Sequence, residues 1–129
     1  MGPRPVIAST ILVIDDHGGF RATARRMLER DGWTVVGEAA DGRSGLAAVA
    51  ELAPDVVLLD IGLPDVDGFE VAEHLARRAD APSIVLVSSR DRTAYGQRIN
   101  ESRAAGFLSK DQLDGRTVRS LVTGTDRRT

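Results

Sequence analysis

A chain of 129 residues, 42% hydrophobic and 28% charged, has the size and composition of one globular domain with its own core, and of neither a disordered segment nor a fibre. The net charge of −2 speaks against a protein that coats nucleic acid, and the lack of cysteine excludes disulfides, thiolate zinc sites and iron–sulfur clusters. No run nears the roughly 20 apolar residues of a membrane span, and the opening Met1-Gly2-Pro3-Arg4-Pro5 has no signal-peptide core, so a cytoplasmic protein is expected.

Residues 1–10 read as a tail. Ile11-Leu12-Val13-Ile14 is continuously apolar, as a strand covered on both faces is, and it ends on Asp15-Asp16. Phe20, Ala24, Met27 and Leu28 then share one helical face, closed by Asp31-Gly32. Residues 34–36 form a weaker β-branched run. Leu46, Val49, Ala50 and Ala53 mark a second helix that Pro54 stops. Val56-Val57-Leu58-Leu59 is the second buried strand. Its tip is Asp60, followed by the turn formers of Ile61-Gly62-Leu63-Pro64-Asp65-Val66-Asp67-Gly68. Phe69, Ala72, Leu75 and Ala76 give a third helix, closing near Asp80-Ala81-Pro82. Ile84-Val85-Leu86-Val87 is the third strong strand and leads into Ser88. A fourth helix is expected over 93–105, although its apolar face (Tyr95, Ile99 and a few alanines) is thin. Gly106-Phe107-Leu108-Ser109 reads as a short strand ahead of Lys110. Val118, Leu121 and Val122 give a last helix, so that 11–122 form the domain and 123–129 a polar tail.

Strands alternating with helices over short connections imply a parallel sheet covered on both faces, an α/β architecture. Ligands of such sheets bind beyond the carboxyl ends of the strands. Asp15-Asp16, Asp60, Ser88 and Lys110 all fall at those ends, from four separate segments. Three carboxylates at one edge repel, by about 4 kcal/mol per pair at 4 Å and an effective dielectric near 20. A hard divalent cation offsets this, and Mg2+ suits the oxygen donors better than zinc. Asp60 is then left as a carboxylate nucleophile toward phosphorus, with Lys110 as a neutralising cation and Ser88 as a hydroxyl donor.

These pieces together resemble the receiver domain of bacterial two-component response regulators. The resemblance rests on Ile11-Leu12-Val13-Ile14-Asp15-Asp16-His17, on Val57-Leu58-Leu59-Asp60 with the turn after it, on Ile84-Val85-Leu86-Val87-Ser88-Ser89 and on Ala105-Gly106-Phe107-Leu108-Ser109-Lys110. The separations agree as well: 44 residues from Asp16 to Asp60, 28 to Ser88 and 22 to Lys110. Asp-Asp-His and Val36-Gly37-Glu38-Ala39-Ala40-Asp41-Gly42 are most similar to receivers of LuxR/NarL-type regulators. The resemblance implies a flavodoxin-like, doubly wound sheet of five parallel strands in the order 2-1-3-4-5. It makes Asp60 the phosphoacceptor and Asp16 a direct Mg2+ ligand, with Asp15 acting through water. Asp60 itself and the backbone carbonyl of Gly62 complete the metal set. Ser88 becomes the switch hydroxyl, Lys110 its cationic companion at the phosphoryl group, and Phe107 the switch aromatic. Phe107 lacks the hydroxyl of the commoner tyrosine, and Gly62 places no side chain over the phosphoryl group. The implied partners are a histidine kinase or phosphotransfer protein and an unidentified output protein, with a phosphorylation-dependent homodimer as one form of output. Neither direct nucleic-acid contact nor membrane contact is expected, and the domain is a signalling module rather than an enzyme.

Plainer readings exist for each part. Asp15 and Asp16 could cap the first helix, Asp60 could be a turn residue, Ser88 a helix cap and Lys110 a solvated lysine. His17 and His74 read as surface residues, and the arginines of 90–103 as a solvated helix face. Two other functions share the residues: a Mg2+-dependent phosphohydrolase with an aspartyl nucleophile, and an interaction module that no longer depends on phosphorylation. The first lacks the Asp-x-Asp nucleophile motif, since Gly62 holds the third place of Asp60-Ile61-Gly62. The short segment after the last helix has no room for a helix-turn-helix, so the expectation is either a single-domain regulator or the receiver part of a longer protein.

Overall fold

The structure, a computed structural model, describes residues 9–126. Its elements in chain order are β1 (Thr10–Ile14), α1 (Gly18–Arg30), β2 (Thr34–Ala39), α2 (Gly42–Leu52), β3 (Val56–Asp60), α3 (Gly68–Ala76), β4 (Ser83–Ser88), a 3₁₀ turn (Arg92–Tyr95), α4 (Arg98–Glu101), β5 (Gly106–Ser109), a second 3₁₀ turn (Lys110–Gln112) and α5 (Gly115–Asp126). The five strands form one all-parallel sheet in the order β2-β1-β3-β4-β5, the doubly wound arrangement implied by the resemblance. Thr10 already belongs to β1 and α5 continues to Asp126. Of the expected tails, 1–10 and 123–129, residues 1–8 and 127–129 lie outside the described residues.

The strict alternation of side chains along a strand sorts the apolar runs into two cores. Ile11, Val13, Val56, Leu58, Val85 and Val87 face Ala24 and Leu28 of α1 and Val118 and Val122 of α5. Leu12, Ile14, Val57, Leu59, Ile84 and Leu86 face Val49 of α2 and Val71, Ala72 and Leu75 of α3. Because helices cover both faces, Ile11–Ile14 of β1 and Val56–Leu59 of β3 have no polar position. Each Leu, Ile or Val buried this way contributes about 1.5–3 kcal/mol relative to exposure, and that burial fixes the strand register.

Local chemistry sets the helix ends. Gly32, at φ +95°, turns the chain out of α1, and the Trp33 N–H donates to Leu28 O at 3.0 Å. Asp41 caps α2 by accepting from Ser44 N–H at 2.8 Å, and Ala53 ends it in the left-handed region at φ 46°, ahead of Pro54. The Trp33 indole N–H donates to Gly115 O at 3.0 Å while Asp31 accepts from Gly115 N–H at 2.8 Å, which ties the start of α5 to the end of α1.

Three expectations need correction. β2 runs to Ala39 rather than stopping at 36, because Gly37 and Glu38 pair with Leu12 and Val13 across a register shift. There the Glu38 carboxylate is held on the outside by Arg21 and Arg25 at 3.1 and 2.9 Å, a role that periodicity does not reveal. α3 ends at Ala76, before the Pro82 stop. The helix expected over 93–105 is a 3₁₀ turn plus one helical turn. Gly96 interrupts it at φ +56°, and Ile99 is the one residue of α4 that is buried, too little apolar face to hold a longer helix.

Candidate functional site

The sheet brings the four predicted segments to one edge. Asp15 follows β1 and keeps its ladder going through an N–H to Ala39 O bond of 3.0 Å. Asp60 is the last residue of β3 and pairs with Val87, so Ser88 stands one step beyond it on the neighbouring strand. Ser88 pairs with Ser109 of β5, and Lys110 comes next. Asp15, Asp60 and Ser88 are the three buried polar side chains among the described residues.

Lys110 Nζ lies 2.7 Å from Asp15 Oδ2, a buried carboxylate oxygen whose close contact is this ammonium, and 3.7 Å from Asp60 Oδ2. The ammonium also sits 4.6 Å from the centre of the Phe20 ring, so α1 supplies its apolar support. Asp60 Oδ1 accepts the Gly62 N–H at 3.1 Å. Burial pushes the Asp60 carboxyl above its ordinary value; the Gly62 N–H opposes this, Asp15 adds to it, and Lys110 offsets part of it. Ionised Asp60 is therefore a charge the fold holds at a cost.

The plain capping reading of the acidic pair is not what the fold uses. His17 is the N-cap of α1 and makes no side-chain cap, while Asp15 Oδ1 accepts the His17 N–H at 2.8 Å. His17 is largely exposed, as expected, yet its Nδ1 lies 3.3 Å from Asp15 Oδ1 and 3.2 Å from Asp16 Oδ1. Asp15, Asp16, His17 and Asp60 each offer a donor atom, all within 4.8 Å of one another. With three carboxylates in the set and one buried oxygen facing only an ammonium, these residues fit a hard divalent cation such as Mg2+. The Gly62 backbone enters the site through its N–H to Asp60, and a Cβ at Gly62 would lie 3.9 Å from Asp60 Oδ1, so glycine adds no side chain against this buried carboxylate.

Other residues, read from sequence only as turn formers, position this edge. A Cβ on Gly68 would meet the backbone of Asp60 and Ile61 at 2.6 Å, so only glycine lets α3 start directly beneath the Asp60 carbonyl. Asp65 accepts the N–H groups of Gly42 and Arg43 at 2.8 and 3.0 Å, which pins the loop after β3 to the start of α2 and holds the Asp65 carboxyl below its ordinary value. Asp67 caps α3 through Phe69 N–H at 2.8 Å.

Ser88 is held from its own loop. Its Oγ accepts the Arg90 N–H at 2.9 Å and hydrogen-bonds the Tyr95 hydroxyl. Tyr95 also stacks edge-on to Phe69 and tilted against half-buried Phe107, with ring centres 5.8 and 6.0 Å away. Sequence reasoning placed Tyr95 on the apolar face of a helix and missed this contact. The one signal available was an aromatic hydroxyl seven residues past Ser88. Arg98 lies 4.3 Å over Phe69 and pairs with Asp67 at 2.7 Å, while Arg90, Arg92 and Arg103 are exposed as expected. His74 lies exposed on α3, and it is not part of the cluster formed by Asp15, Asp16, His17 and Asp60.

Comparison with known proteins shows the family and the fold. A family model for the response regulator receiver domain matches residues 11–122. The chain is 33% identical over 101 residues to the DNA-binding transcriptional activator EvgA of Escherichia coli, covering 78% of this chain and 50% of that protein. It is 34% identical over 102 residues to the transcription regulator BvgA of Bordetella pertussis, covering 79% and 49%. The chain thus spans about half the length of these relatives. Among solved structures, the signal receiver domain of the response regulator NarL from Mycobacterium tuberculosis superposes with a TM-score of 0.81 at 32% identity, over 95% of this chain and 100% of that one. A LuxR-family response regulator from an Aurantimonas species gives 0.80 at 29% identity, over 94% and 87%.

Proposed function

The chain belongs to the family of response regulator receiver domains, and from that premise we propose that it accepts a phosphoryl group on Asp60 and passes the change to a partner through its surface. The observation that carries the reading is the Lys110 ammonium poised between Asp15 and Asp60, 2.7 and 3.7 Å away, at a sheet edge where Ser88 adds a hydroxyl. Asp60 Oδ2, the oxygen on the Lys110 side, forms the new P–O bond while the bond from phosphorus to the donor's leaving group breaks, giving an acyl phosphate. The donor is the phosphohistidine of a kinase or phosphotransfer protein, or a small acyl phosphate. Lys110 meets the developing charge on the phosphoryl oxygens, Ser88 donates a hydrogen bond to one of them, and Gly62 N–H keeps Oδ1 turned away from the attack. Asp15, Asp16 and Asp60 would hold Mg2+, with the Gly62 carbonyl as a backbone ligand; when bound, the ion neutralises charge on the carboxylates and phosphoryl oxygens. Gly62 places no side chain above the phosphoryl group, so that position adds no shield against water. Output would run through contact of this domain's surface with a partner protein or with another part of the same protein.

Incubation with acetyl phosphate and Mg2+ tests the reading by intact mass. One hydroxylamine-sensitive phosphoryl group should appear on the protein and none on Asp60→Asn. Equal labelling of Asp60→Asn would sink it, and so would labelling unaffected by a chelator.

A further inference from the structure

Ser88 has one proton and two lone pairs to share. In this structure the Arg90 N–H occupies one lone pair and the Tyr95 hydroxyl takes another position on the same oxygen. Ser88 is buried at 3% exposure, so no competing solvent contact dilutes the pair. The Tyr95 ring is in turn clamped between Phe69 at the start of α3 and Phe107 of β5, and Phe69 carries Arg98 and its partner Asp67. A continuous line of contact therefore runs from the Ser88 hydroxyl to the outer surface between α3, α4 and β5. Phe107 cannot join it by hydrogen bonding, since it has no hydroxyl.

We propose that Tyr95 is the positioning residue for Ser88, and that its phenol carries the arrival of a phosphoryl group to the Arg92–Tyr95 turn and the Phe69–Phe107 contact. The proposal rests on the phosphoacceptor reading of Asp60. A phosphoryl oxygen only accepts, so Ser88 has to give it the single proton. Tyr95 must then donate into the remaining lone pair or let go. Either course changes the phenol's hydrogen bond, whichever way its proton pointed before. The phenol thus reports on Asp60 from a residue to which the family resemblance gave no role, and it acts from the loop after β4 instead of from β5.

The chain contains a single tyrosine, so 3-fluorotyrosine labelling of the intact protein gives one resonance that belongs to Tyr95. Beryllofluoride with Mg2+ serves as the phosphoryl probe and brings its own bound fluorine signal, so one spectrum answers two questions. The expected result is a bound beryllofluoride signal together with a displaced Tyr95 resonance. In Ser88→Ala the Tyr95 resonance should start elsewhere and ignore the probe. Tyr95→Phe, which keeps the ring and loses only the hydroxyl, should accept phosphate from acetyl phosphate about two- to tenfold more slowly, the range expected for one net hydrogen bond. Its Mg2+ affinity should stay the same, which a general loosening of the site would not allow. Bound beryllofluoride with an unmoved Tyr95 overturns the inference and leaves Asp60 as acceptor. A moved Tyr95 with wild-type labelling by Tyr95→Phe overturns the positioning role. No bound beryllofluoride at all overturns the phosphoacceptor reading, and this inference with it.

Discussion

Around β1 and β3 the molecule is closed by helices of 13, 11 and 9 residues, whereas β4 is joined to β5 by a 3₁₀ turn and a single helical turn of four residues each. The first region has Ile11–Ile14 of β1 and all of β3 buried and its loops locked by side-chain caps, Asp41 on α2, Asp65 across to α2 and Asp67 on α3. The second buries Ile99 and leaves its arginines in solvent; its ties are the Ser88–Tyr95 bond, ring contacts and one exposed ion pair. The difference separates two tasks. Carboxylates that repel must be held at fixed distances, which takes a rigid frame. A segment that reports on them must move at low cost, which takes a shallow one.

The sharpest way to break this comparison is to cut the same amount of side chain from both regions. Leu58→Ala should lose about 3–4 kcal/mol of unfolding free energy, and Ile99→Ala about 2, because the thinly packed segment around α4 can settle into the space. Urea denaturation measures both. Equal losses would mean that the β4–β5 connection is as firmly built as the central strands.

Hydrogen exchange sharpens the same contrast without mutation. Amides of β3 should open only with global unfolding, while those of α4 should exchange at least about 100-fold faster, equivalent to about 2.7 kcal/mol. Matching protection would remove the case for a low-cost reporter.

A smaller effect concerns the charge stored in the frame. Burial raises the Asp60 carboxyl, so in the metal-free protein its contribution to stability grows as pH falls through its folded value and is complete below the ordinary carboxylate value of about 4. Glu38, held down by its hydrogen bond from Arg25, works in the opposite sense. So does Asp55, whose burial is outweighed by the N–H groups of Ser9 and Thr10. Their contributions are present above about pH 4 and disappear as pH drops through their lowered values. Asp60→Asn should therefore raise the Tm of the chelator-treated protein at pH 7 by a few degrees, the response to about 1 kcal/mol in a domain this size, and flatten the rise on mild acidification. Thermal melts across pH 4–8 decide it. An unchanged profile would mean that Lys110 already neutralises the site.

The smallest effect belongs to the surface. Arg98→Ala removes the ion pair with Asp67 and the contact over Phe69, but the arginine itself is exposed, so the cost should stay below about 1 kcal/mol and shrink further in high salt. A larger, salt-insensitive loss would make this arginine a structural strut of the reporter segment.

The acidic frame was legible because its signals are short and local. Four apolar residues covered on both faces and then a carboxylate can be read directly, as at Leu58-Leu59-Asp60, and the alternation within those runs assigns each residue to a core. The β4–β5 segment was misread as a helix over 93–105, although Gly96 was in view, because a thin stripe of Tyr95, Ile99 and alanines has nearly helical spacing. Its real shape depends on what Tyr95 can reach.

Sequence alone determined the parallel α/β architecture, the strand tips that carry Asp15, Asp16, Asp60, Ser88 and Lys110, and their convergence on one edge, since burial on both faces and short crossovers leave few other arrangements. Tertiary structure decided which groups touch. Lys110 settles closer to Asp15 than to Asp60, Asp65 locks a helix 22 residues before it, and Ser88 bonds a phenol rather than facing Phe107. Such pairings depend on side-chain reach and competition for the same proton or lone pair within a few ångströms, quantities that exist only once the chain has closed on itself.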